Sequence, residues 1–213
     1  MSAVVVVGLA YLAGAIPFSN LVARRTRGVD LRTVGSGTVS GTSLYDVAGF
    51  VPLAVAGICD VAKGAVGPAL AGPDRPGLAA VAAAAGVAGH NWSPFLRGAG
   101  GRGISPALGA LLVRNWPGTA VLLGGMTAGR LVQETALGSF VADVALVPVL
   151  SRSRGRPGAL VGAAVLAPLV AKRLLGNRRP LLRAPSTYAA RLVFDRDTWS
   201  RDAHEDQQPM PSS

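Results

Sequence analysis

The chain has 213 residues, half of them hydrophobic and only 15% charged, with 28 glycines, a mean hydropathy of +0.41 and a formal net charge of +10. Soluble domains carry about 25% charged residues, so this composition excludes an ordinary soluble domain. It points to a membrane bundle in which small residues let helices approach closely. The basic balance does not point to nucleic acid. Most arginines flank apolar runs, where they set topology and meet anionic headgroups, and no nucleic-acid motif accompanies them. The single Cys59 excludes a disulfide framework and a thiolate metal site.

Residues 3–23 are apolar and long enough to cross a hydrocarbon core, which takes about 20 residues. Pro17 predicts a kink near the far end of this run. Ser19 and Asn20 beside it read equally as interfacial polar groups or as site residues. No basic residue precedes the run, whereas Arg24, Arg25 and Arg27 follow it. That is the pattern of a first membrane helix whose C-terminal end lies inside, not of a cleaved export signal.

Residues 24–46 read as a polar loop. Its centre, GSGTVSGTS (35–43), mixes glycines with small hydroxyl residues. Such a segment either exposes backbone N–H groups as an anion-binding nest or serves as a flexible connector. The second apolar run, 47–71, contains Asp60 and Lys63. At this spacing they share a helix face and pair. Charges in a membrane helix are costly and face the interior or water, so Lys63 is expected to serve an anion site with Asp60 holding it.

A turn at 72–77 leads to a helix over 78–88, which feeds the stretch GHNWSPFLRGAGGRGIS (89–105). One His, one Trp, five glycines and two arginines follow an uncharged helix there. This composition suits an anionic ligand held between backbone N–H groups and guanidinium ions. Apolar runs follow at 104–113, 118–131 and 136–150, the last containing Asp143 as a candidate buried carboxylate. SRSRGRPG (151–158) reads as a basic turn, and 159–171 is a seventh run closed by Lys172 and Arg173.

Residues 1–176 thus form one membrane domain, and 177–213 a polar basic cytoplasmic tail. Within the tail, 187–194 fits a short interfacial helix, and the last dozen residues are expected to be disordered. The fold expected is all-α, a polytopic membrane helical bundle of about seven transmembrane helices. Lys and Arg concentrate in loops 24–46, 93–103 and 130–136 and in the tail, which places the N-terminus outside and the C-terminus in the cytoplasm, with SRSRGR dissenting. In this topology the GSG loop, the 90–103 loop and the ALGS segment (136–139) converge on one face.

Five segments carry a resemblance. YLAGAIPFSNLVAR, VGSGTVSGTS, DVAKGA, GHNWSPFLRGAGGRG and ALGS occur in this order and topology. The chain resembles the bacterial PlsY-type acyl-phosphate:glycerol-3-phosphate acyltransferases over roughly residues 11–176. The resemblance implies acyl phosphate and glycerol 3-phosphate as substrates, lysophosphatidic acid as product, a location in the bacterial inner membrane with a cytoplasmic active face, and neither cofactor nor metal. By position, Gly35, Ser36, Gly37 and Thr42 match the first motif, in which Thr38 and Ser43 stand where Asn is usual and Ser40 and Gly41 where Gly and Ala are. Asp60, Lys63 and Gly64 match the helix motif. His90, Gly100, Gly101, Arg102 and Gly103 match the central loop, with Arg102 where Lys is usual. Ser139, Lys172 and Arg173 complete the set. The pattern is broken at Asp46, where a cation is usual, at Ala99, where a further Lys is usual, and at Ala167 and Val170, which replace a His and an Asn.

The implied chemistry is attack by a primary hydroxyl on an acyl phosphate carbonyl, with phosphate leaving. It needs two anionic substrates positioned and an oxyanion stabilised. His90, Ser36 and Arg102 are the catalytic candidates. For the hydroxyl proton the resemblance implies the substrate phosphate itself as acceptor, with His90 the protein candidate; Ser36 is a hydrogen-bond donor and Arg102 a bidentate phosphate ligand. Glycines 35, 37, 100, 101 and 103, with Thr38, Thr42, Ser43, Lys63, Ser139, Lys172 and Arg173, are the phosphate-binding candidates. Asp60 and Gly64 are the supports. Two other readings stay open: a silent relative that binds lipid phosphate, favoured by Asp46 and the missing His and Asn, and a small transporter, against which stands the absence of a repeated half.

Overall fold

The computed structural model describes residues 1–35, 37–113, 115–180 and 182–199. Ser36 and the final dozen residues, expected to be disordered, lie outside the described residues. All regular elements described are helical: α1 (Ala3–Ala15), α2 (Phe18–Arg27), α3 (Gly41–Ala48), α4 (Phe50–Ala71), α5 (Pro76–Asn91), α6 (Ile104–Leu112), α7 (Trp116–Leu131), α8 (Thr135–Leu175) and α9 (Pro185–Phe194), with 3₁₀ turns at Leu31–Thr33 and Pro94–Leu96.

Among the described residues, three stretches are long and apolar enough to cross a membrane: Ala3–Arg27, Phe50–Ala71 and Thr135–Leu175. The nine-residue α6 spans only about 14 Å at 1.5 Å per residue, well short of a bilayer core.

The expected kink is present. Pro17 separates α1 from α2, and α2 ends at Gly28, whose φ of 70° is left-handed. The expected polar loop over 24–46 is only partly a loop, because α2 runs on to Arg27 and α3 starts at Gly41. Ser40 starts α3 by accepting a hydrogen bond from the Ser43 N–H at 3.2 Å, as an N-cap does. The basic turn predicted over 151–158 is mostly helical as well. The chain reverses at Gly155 alone (φ 62°, ψ −150°). A Cβ added at Gly158 would lie 2.2 Å from the Leu150 carbonyl oxygen, eight residues away. That proximity is impossible in a straight helix, so α8 is a hairpin of two packed arms.

Ala and Gly fill many buried positions of the bundle beside Leu and Val, whereas Val4 and Ile58 on the outside are 82% and 71% exposed. Lipid removes the drive to bury large apolar side chains, so helix contact is made by small residues. Added Cβ atoms at Gly64 and Gly109 would fall 2.0 and 1.8 Å from the carbonyl oxygens of Pro106 and Val61, which shows how closely α4 and α6 approach. Helix α5 packs against α1, α4, α6 and α8, and its last residues reach the site.

Candidate active site

A narrow cleft lies where the α1–α2 break, the middle of α4, the end of α5 and the 92–103 loop meet. Pro17, Ser19, Asp60, Lys63, His90 and Gly101 line it. Lys63 Nζ is 2.6 Å from Asp60 Oδ1. It also donates to the Ile16 carbonyl at 2.6 Å and lies 5.7 Å from the centre of the Phe18 ring. The carbonyl is available because Pro17 interrupts the helix there. Ser19 Oγ donates to Asp60 Oδ2 at 3.0 Å, and His90 Nδ1 is 3.9 Å from Asp60 Oδ1. Asn20 instead ties the fold, its Oδ1 accepting from the Leu31 N–H at 2.8 Å.

The central loop is shaped by its glycines. Ser93 anchors it through Oγ to the Ala15 carbonyl at 2.6 Å, and Arg97 and Gly98 turn it in the left-handed region. A Cβ on Gly101 would sit 2.1 Å from His90 Nε2, and one on Gly100 would sit 2.2 Å from the His90 carbonyl. Only glycine lets this strand of backbone lie against the histidine.

Three of the candidate glycines have their N–H groups engaged within the fold. Gly37 donates to the Val34 carbonyl and Gly101 to the His90 carbonyl, and Gly100 to Asn177 Oδ1 at 3.2 Å. Tight turns satisfy their own amides when a carbonyl comes within reach.

A second cationic centre forms around Arg102 and Lys172. Arg102 Nε is 2.7 Å from Asp195 Oδ2, and its Nη1 donates to the Lys172 carbonyl at 3.1 Å. Burial pushes the Asp195 carboxyl above the usual carboxylate range, and Arg102 pulls it back. Burial likewise lowers the Arg102 guanidinium, opposed by Asp195. Lys172 Nζ donates to Asn177 Oδ1 at 2.6 Å and lies 5.4 Å from the centre of the Trp92 ring. The loops join here, as the Val39 N–H donates to the Gly100 carbonyl at 3.1 Å.

Not every predicted residue converges on the cleft. Ser139 Oγ donates to the carbonyls of Thr135 and Ala136 and accepts from Arg173 Nη2 at 2.8 Å. Arg173 also pairs with the buried Asp143 at 3.3 Å. These three join the arms of α8. Ser43 Oγ donates to the Thr38 carbonyl at 2.9 Å, which shapes the first loop, while Gly35 and Thr42 are exposed. Gly103, at φ 83°, opens α6, and Gly64 lies against α6.

Sequence reasoning missed Ser93, Asn177, Arg191 and Asp195. Arg191 clips the end of α9 to the bundle, pairing with Asp197 and donating to the carbonyls of Leu174, Leu175 and Arg178. The one available signal was the mixture of Asp and Arg after residue 190, unusual for a tail that is otherwise basic.

The family model described as glycerol-3-phosphate acyltransferase matches residues 4–184. The chain belongs to that family. Among its curated relatives, the glycerol-3-phosphate acyltransferase of Jannaschia sp. is 35% identical over 79% of this chain and 84% of its own length. That of Synechococcus sp. is 33% identical over 84% of this chain and 95% of its own. Glycerol-3-phosphate acyltransferase 5 of Dehalococcoides mccartyi is 42% identical, but the match spans 66% of this chain and only 61% of that protein. The fold is similar to the crystal structure of PlsY, an integral membrane glycerol 3-phosphate acyltransferase, in its glycerol 3-phosphate form. The TM-score is 0.74 at 24% identity, covering 81% of this chain and 88% of the other. The lysophosphatidic acid form gives a TM-score of 0.67 at 20% identity, covering 84% and 95%.

Proposed function

We propose that this family member transfers an acyl group from acyl phosphate to the 1-hydroxyl of glycerol 3-phosphate, giving lysophosphatidic acid at the cytoplasmic face of a bacterial inner membrane. The observation that carries the reading is the pair of cationic centres, Lys63 in the cleft that Gly100 and Gly101 line, and Arg102 with Lys172, the latter tied through Asn177 to Gly100. A reaction between two phosphate-bearing substrates needs two such centres close together. In the reaction the hydroxyl oxygen bonds to the acyl carbon. The bond from that carbon to the phosphate oxygen breaks, and phosphate leaves with the electron pair.

His90, beside Asp60, is the protein group that would take the hydroxyl proton. Arg102 and Lys172 would hold phosphate oxygens, and Lys63 would offset charge developing in the cleft. The cleft interior measures about 10 Å³, the size of one water molecule, so side chains around it shift when substrate binds. In this reading the bundle crosses the membrane about seven times, with the N-terminus outside, and residues 1–176 carry the catalytic unit. The exposed Val, Leu and Ile side chains of its outer face support a lipid boundary.

The competing reading, a silent relative that binds lipid phosphate, draws on the occupation of Arg102 by Asp195 and on Asp46 where a cation is usual. Purified protein supplied with acyl phosphate and glycerol 3-phosphate is expected to form lysophosphatidic acid. Phosphate binding without product would establish the silent relative.

A further inference from the structure

Asn177 belongs to none of the segments that carry the family resemblance. It follows Gly176, whose φ of 61° ends α8. Its carboxamide makes four hydrogen bonds. Oδ1 accepts from Lys172 Nζ at 2.6 Å and from the Gly100 N–H at 3.2 Å. Nδ2 donates to the Gly100 carbonyl at 2.8 Å and to the Gly37 carbonyl at 3.2 Å. A carboxamide has two N–H donors and one oxygen with two lone pairs, so its whole capacity is used. Three segments far apart in sequence therefore meet on one side chain: the first loop at Gly37, the central loop at Gly100 and the end of α8 at Lys172.

We propose that Asn177 is a positioning residue of the phosphate site, fixing the spacing of the two glycine loops and aiming the Lys172 ammonium. This rests on the reading above, in which those loops and Lys172 hold a substrate phosphate. The physical need is plain. Gly37 and Gly100 have no side chains with which to grip each other, and the Asn177 carboxamide adds to the backbone bond that runs between the loops from the Val39 N–H to the Gly100 carbonyl. Lysine is a point charge on a flexible stem, so one strong acceptor decides where it points. Asparagine does both because it donates and accepts at once. Aspartate, of the same size, accepts from Lys172 but turns an oxygen toward the carbonyls of Gly37 and Gly100.

The test compares Asn177→Ala and Asn177→Asp with wild type, using the full-length protein in detergent. For Asn177→Ala the KM for glycerol 3-phosphate rises about tenfold while kcat changes less, as expected when ground-state binding geometry is lost. Asn177→Asp is at least as impaired despite its matching size. Unchanged KM with a lowered Tm would make Asn177 a strut only, and wild-type kinetics in Asn177→Asp would remove the bridging role. Titration with inorganic phosphate, followed by ³¹P NMR, separates this proposal from acyl transfer itself. Weaker phosphate binding in Asn177→Ala than in wild type upholds the positioning role even if no lysophosphatidic acid forms, in which case it is acyl transfer that fails. Equal binding, or none in wild type, overturns the role of Asn177 whatever the activity.

Discussion

Arg102 Nε and Asp195 Oδ2 lie 2.7 Å apart, joining the central glycine loop to the residue that ends α9. A carboxylate from the C-terminal segment thus sits on the cation expected to hold a substrate phosphate. Carboxylate and phosphate compete for the same guanidinium. Asp195→Asn is therefore expected to lower the KM for the phosphate substrate severalfold and leave kcat near wild type, measured by initial rates. A raised KM would mean that Asp195 orients Arg102 for substrate.

Arg102 itself is expected to be sensitive to geometry as well as charge. It uses Nε toward Asp195 and Nη1 on the Lys172 carbonyl, whereas a lysine provides a single point charge. Arg102→Ala should lower kcat by about a hundredfold or more, the scale of losing one electrostatic contact in a transition state. Arg102→Lys should retain part of the activity. Unchanged kinetics in Arg102→Ala would remove this residue from the site.

The Asp60–Lys63 pair separates folding from chemistry. Both side chains are almost wholly buried. Lys63→Met strands a buried carboxylate, which costs about 3–5 kcal/mol, and should fail to accumulate as folded protein. The double variant Asp60→Asn with Lys63→Met should regain a wild-type-like Tm in detergent but not turnover. Return of activity with the fold would make the pair purely structural.

Two glycines give opposite expectations from packing alone. At Gly109 an added Cβ meets the Val61 carbonyl oxygen at 1.8 Å, so Gly109→Ala must push α4 and α6 apart, at about 1–3 kcal/mol. At Gly124 in α7 nothing lies within 4 Å, and Gly124→Ala should be neutral or stabilising by up to about 1 kcal/mol from helix propensity. Thermal unfolding in detergent checks both. An equal response would mean the α4–α6 contact is looser than described.

The amino-acid sequence by itself determined the helical class, the break at Pro17, the Asp60–Lys63 pair and the order of the glycine segments. Each of these is local. A proline removes a donor where it stands, charges three residues apart on a helix share a face, and charge-poor runs record their surroundings directly.

Only the tertiary structure decided what those groups face. It packed the arm after the 151–158 turn so that Arg173 serves Asp143 and Ser139 rather than the cleft. It engaged the N–H groups of Gly37 and Gly101 with carbonyls and that of Gly100 with Asn177, and it brought Asp195 to Arg102. Hydrogen bonds from residue 177 to residues 37 and 100 leave no periodic trace in either segment. A polar stretch has no apolar stripe to announce which face it covers, and its partners are fixed only once the membrane helices have packed and left particular donors and acceptors to be satisfied.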